Sequence, residues 1–92
     1  MANYLVIDLP NVQALYAQVS AEFLAALNET VYPALRTDPT NQTGRYPIQF
    51  ERGLGYLYTI ELPGGGRYLL RYEVVEDERV VMVRDLITTR EP

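Results

Sequence analysis

Apolar residues change their spacing once along this chain, and that change limits the fold more than any other feature. From Val12 they recur at helical intervals through Leu15, Tyr16 and Val19, then through Phe23, Leu24, Leu27 and Val31, with alanines between them. From Leu54 to Leu62 they alternate instead. Leu54, Tyr56, Tyr58, Ile60 and Leu62 share one face, while Thr59 and Glu61 mark the other and Leu57 is the exception. The next segment repeats the phase, with Tyr68, Leu70, Tyr72 and Val74 inward against Arg67, Leu69, Arg71 and Glu73 outward. Val80 to Ile87 is apolar in both phases, as expected of a strand that is covered on both sides or centrally placed.

The punctuation between these segments sets the element order. Asn3 to Leu9 is β-branched and apolar, as a first strand requires, and Pro10 with Asn11 ends it. Ser20 followed by Glu22 is itself a helix start, so the helical stretch reads as one rod or as two helices meeting near Gln18 to Ser20. Pro33 lacks the amide hydrogen for the bond to residue 29, so the helix is expected to kink or end near Tyr32. Thr37 to Gly44 is a polar loop, Pro63 to Gly66 a hairpin connection, and Glu76-Asp77-Glu78 a solvated turn guarding the sheet edge. The expectation is a single α+β domain over residues 1–92. It has an N-terminal strand, one or two helices and a three-strand antiparallel meander, with the helices packed on one face of the sheet.

Composition removes most chemistry. With no cysteine and no histidine, the chain has no disulfide framework, no thiolate metal site, and neither the commonest general base nor the commonest zinc ligand. No metal and no cofactor are expected. The net charge of -4 opposes direct binding to nucleic acid, whose backbone attracts basic surfaces. Met1 to Pro10 lacks the basic start and unbroken apolar core of a signal peptide, and no apolar run reaches membrane-spanning length. The chain reads as cytoplasmic, without a membrane partner.

Arginine and tyrosine carry what remains. All eight cationic side chains are arginine. Arg67 and Arg71 alternate on one strand face, spaced to engage carboxylates or phosphates, or simply paired with Glu73 or Glu61 on a solvated face. Arg52, Arg84 and Arg90 extend that patch if the sheet brings them together, although Arg84 beside Asp85 reads as a local ion pair. Eight tyrosines invite an interface reading. Tyr56, Tyr58, Tyr68 and Tyr72, however, share the core phase, where the ring packs and the hydroxyl reaches the rim.

The C-terminal run supplies a resemblance. Tyr68-Leu69-Leu70-Arg71-Tyr72, the acidic turn Glu76-Asp77-Glu78, the valine-rich Val80 to Val83 and the closing Arg90-Glu91 resemble the end of RelE/ParE-type toxins of type II toxin-antitoxin pairs. The resemblance covers about the last 25 residues, and the helical half matches in pattern. It implies a toxin-like protein neutralised by a small antitoxin. The ribonuclease branch of that family relies on basic residues in the meander and near the chain end. Here Leu69 stands in place of the strand arginine and Thr88 in place of a terminal histidine or lysine, leaving Arg71 and Arg90 as weak catalytic candidates. Arginine keeps its proton and is a poor base. The expected activity is therefore protein binding, closer to the gyrase-inhibiting branch, through Arg67, Arg71, Arg84 and Arg90. The alternatives are a messenger-RNA endoribonuclease of the same fold and a non-enzymatic interaction or regulatory module, and the partner is an antitoxin-like chain or a second copy.

Overall fold

Five strands form one mixed sheet in this computed structural model, which describes residues 3–41, 45–50, 54–64 and 66–89. They are β1 (Leu5–Asp8), β2 (Arg45–Gln49), β3 (Leu54–Glu61), β4 (Arg67–Val75) and β5 (Val80–Thr89). Across the sheet they run β1-β5-β4-β3-β2, antiparallel throughout except that β1 is parallel to β5. The meander thus has four strands, not the three expected. β2 adds an edge strand that Pro47 disguises, because proline cannot donate to a ladder and is tolerated at sheet edges. The N-terminal strand completes the sheet at the opposite edge, pairing Leu5 with Val80 and Ile7 with Met82.

Two helical segments lie between β1 and β2. The first, α1 (Pro10–Tyr16), begins with proline in its first turn, where the missing amide costs nothing. The second starts at α2 (Ala21–Ala26), whose cap Ser20 accepts a hydrogen bond from the Phe23 amide at 3.1 Å. The break near Gln18 to Ser20 therefore separates two helices. Of the kink or end expected at Pro33, the end does not occur. A π-helical turn over Leu27–Val31, closed by the Tyr32 amide on the Leu27 carbonyl, carries the chain directly into α3 (Tyr32–Thr37). The wide turn shifts the bonding so that Pro33 falls in the first turn of α3, where no amide donor is required.

The helices cover one face of the sheet. Val12, Phe23, Leu27, Val31 and Leu35 are buried against the inward residues of β3, β4 and β5. Tyr56 and Tyr72 are buried, Tyr58 and Tyr68 are half-buried against the same core, and the Phe23 and Tyr68 rings lie 4.0 Å apart between centroids. Leu54 departs from its phase and is exposed. β5 is central, between β1 and β4, and is covered by helices on one side only; Val81 and Val83 face the core, whereas Val80 and Met82 face away. The Tyr72 hydroxyl donates to the Pro39 carbonyl at 2.6 Å and accepts from Arg45 at 3.2 Å, tying the loop after α3 to the sheet.

Candidate functional site

The sheet face turned away from the helices is where the candidate arginines stand. Strand register arranges it in rows. Leu5, Val80 and Val75 make one row, and Ile7, Met82, Glu73 and Gly55 make the next. A third row holds Asp85, Arg71, Leu57 and Tyr46. Leu5, Ile7, Tyr46 and Ile87 on this face are exposed, so the described chain leaves them partly uncovered.

A β-bulge decides the pairing of the arginines. Arg71 faces Asp85 and Tyr72 faces Val83, which leaves Arg84 as the extra residue of β5 and turns both Arg84 and Asp85 to the open face. The local Arg84–Asp85 pair expected from adjacency does not form. Arg84 instead contacts Glu73 at 3.3 Å, and Arg71 contacts Asp85 at 3.4 Å. Arg67 contacts Glu61 at 2.7 Å across β3 and β4, in keeping with a paired, solvated face. Arg90 and Arg52 lie outside the described residues.

Phe50 organises this region, and no sequence motif marked it. An ideal Cβ on Gly55 would lie 2.1 Å from Phe50 Cε2, so the ring occupies the space that a side chain at Gly55 would fill. Arg71 and Arg84 both lie over that ring, at 5.9 and 5.7 Å from its centroid. Glu73, expected to be outward and solvated, is 4% exposed, because the Phe50 ring fills the space over its bare ladder neighbour Gly55. The glycine in an otherwise apolar strand was the available signal of a close approach.

A second cluster sits at the end of β1 among the helices. Asp8 accepts from the Tyr16 hydroxyl at 3.0 Å on one oxygen and from the Tyr32 hydroxyl at 2.6 Å on the other. Desolvation, followed by the hydrogen bond to Asp8, pushes Tyr32 up to about 12; desolvation and the Asp8 charge also push Tyr16 up strongly. Neither phenol is a base at neutral pH, and the cluster satisfies a carboxylate rather than activating a nucleophile. Asp8→Ala removes both acceptors and is expected to lower stability by about 2 kcal/mol, against about 1 kcal/mol for Asp8→Asn. Urea midpoints at unchanged slope measure the difference; equal midpoints for Asp8→Ala and wild type would remove this cluster from the fold's support.

Among the described residues no group of three acidic side chains is placed to hold a metal ion, and no helix is long and apolar enough to cross a membrane. Fold and face together define an α+β domain with helices on one side of a mixed sheet and an arginine-bearing, partly apolar surface on the other. No family model, curated protein or solved structure matches this chain.

Proposed function

We propose that this domain is a toxin-like protein of the RelE/ParE kind that acts by binding another protein through its open sheet face. One observation carries the reading: Arg67, Arg71 and Arg84 stand on that uncovered face, each already held by a carboxylate, with Arg71 and Arg84 at 5.9 and 5.7 Å from the Phe50 ring centre. Fixed guanidiniums beside an aromatic ring and exposed aliphatic residues have the composition of a protein-binding hot spot. Phosphodiester cleavage needs a proton acceptor as well, and the chain has no histidine while burial pushes Tyr72 up.

Induced expression is expected to arrest growth while transcripts stay intact. Arg67→Ala combined with Arg71→Ala is expected to restore growth; Glu61 is exposed and Asp85 half-buried, so stability changes by only about 1 kcal/mol. Arg84 is unsuitable for this test, because its removal strands the buried Glu73 carboxylate. Normal growth on expression of the wild-type chain would sink the proposal. Transcript cleavage that disappears with Arg71→Ala would replace it with the endoribonuclease reading.

A further inference from the structure

The open face is not uniform, and its charge identifies the kind of partner that fits one end of it. A shallow cleft of about 1270 Å³ runs from β2 across the ends of β4 and β5 to the turn at Glu76–Glu78. It is larger than the roughly 300–1,000 Å³ of a small-molecule pocket, and the space is comparable with a few turns of a polypeptide. Its apolar lining includes Ile48, Phe50, Val75 and Met82, and its charged lining sets four carboxylates against the two guanidiniums of Arg71 and Arg84.

Those guanidiniums are already neutralised by Asp85 and Glu73. Glu76 accepts from the Tyr4 hydroxyl, but the Asp77 and Glu78 side chains make no hydrogen bond or ion pair among the described residues. Arg79 donates to the same Tyr4 hydroxyl and offsets Glu76, so the cleft offers an apolar floor whose excess negative charge, among the described residues, rests on Asp77 and Glu78 at one end. A second copy of the chain is a poor occupant. Its own net charge is -4, and a two-fold pairing of these clefts would bring both acidic turns into one interface.

We propose that the cleft beside Glu76–Glu78 receives a short basic polypeptide segment of the protein partner, its apolar side chains on Phe50, Val75 and Met82 and its cationic ones against Asp77 and Glu78. This rests on the reading of the open face as a binding surface, and it adds the chemistry of the segment that binds. The segment would have to be cationic and anchored by aliphatic or aromatic residues spaced to meet the sheet rows.

The test titrates the full chain into two fluorescent twelve-residue peptides, one alternating leucine with lysine and the other leucine with glutamate, and follows anisotropy. The lysine peptide is expected to bind saturably and the glutamate peptide not to bind. Asp77→Asn with Glu78→Gln is expected to weaken binding about tenfold, as two lost charge contacts would. Glu22→Gln with Glu29→Gln removes the same charge from exposed helix positions and is expected to change binding less than about twofold. Met82→Gln, which removes apolar character at similar volume, is expected to weaken binding about fivefold.

Equal losses in the two charge-neutralised proteins would overturn the site, since binding would then follow net charge alone. Tight binding of the glutamate peptide, lost with Arg71→Ala, would overturn the basic partner while leaving the open face as the binding surface. A dimer by light scattering that binds neither peptide would place a second copy there and overturn the proposal. The growth assay reports separately on the toxin-like reading, because it turns on Arg67 and Arg71.

Discussion

Gly55→Ala is expected to melt roughly 10–20 °C below the wild-type protein, the largest loss predicted for any single added methyl group on the open face. The new Cβ would stand 2.1 Å from Phe50 Cε2 and 2.3 Å from the Tyr72 carbonyl oxygen. The first neighbour is a ring that can swing away, whereas the second belongs to the backbone of the paired strand and can retreat only by distorting the ladder. Overpacking of this kind costs about 3 kcal/mol, a large share of the 5–15 kcal/mol that holds a small domain together. Expulsion of the ring would also uncover Glu73 and release the support beneath Arg71 and Arg84. Phe50→Ala in the same chain is therefore expected to recover part of the loss, so that the two effects do not add. Calorimetric melting of the two single variants and the double variant decides this. A Gly55→Ala protein that melts within about 2 °C of wild type would mean that the ring does not fill that space.

Alkaline pH is expected to unfold the protein through its buried phenols. Tyrosine in the unfolded chain ionises near 10.0, whereas desolvation raises Tyr16, Tyr32 and Tyr72 in the folded state, Tyr32 to about 12. The folded state therefore holds protons that the unfolded state has released. Stability is intact below pH 10 and falls as the pH climbs toward the folded-state values. Tyr72, fully buried, removes about 1.4 kcal/mol for each pH unit above 10; Tyr16 and Tyr32, partly exposed, add to the slope in the same direction. Tyr72→Phe separates two effects. At neutral pH it is expected to cost about 1–2 kcal/mol, because the Pro39 carbonyl and the Arg45 guanidinium lose the hydroxyl between them. Above pH 10 its stability is expected to decline less steeply, by about one proton per molecule. Denaturant midpoints from about pH 9 to 11.5 test both limbs, and parallel curves for the two proteins would exclude Tyr72 as a contributor.

Periodicity made the helices, β3, β4 and the inward phase of the tyrosines legible, because each side chain's face follows directly from its spacing. The Ser20 cap was legible for the same local reason. Features set by contacts distant in sequence were not. In β2 only Tyr46 and Ile48 share the outer face, and Pro47 between them reads as a strand breaker unless the segment is known to lie at an edge. The arginine-bearing face could be read from alternation in β4, but the carboxylate that holds each guanidinium could not. Arg84 meets Glu73 and not Asp85 because of a one-residue shift between two strands, and nothing within either strand announces that shift. Phe50 escaped notice since its role depends on Gly55, five residues away across a hairpin. Of the kink or end expected near Tyr32, the end does not occur: a wide turn removed the need for the missing donor before the proline was reached.

The partnership of β1 with β5 has a consequence for the order of assembly. Leu5 meets Val80, a separation of 75 positions, and bringing such distant residues together costs roughly 4 kcal/mol more than joining immediate neighbours. A newly synthesised chain can close the hairpins of β2 to β4 as they leave the ribosome, yet β1 has no place to dock until β5 has emerged. Through that interval the oily faces of the helices stay without their full cover.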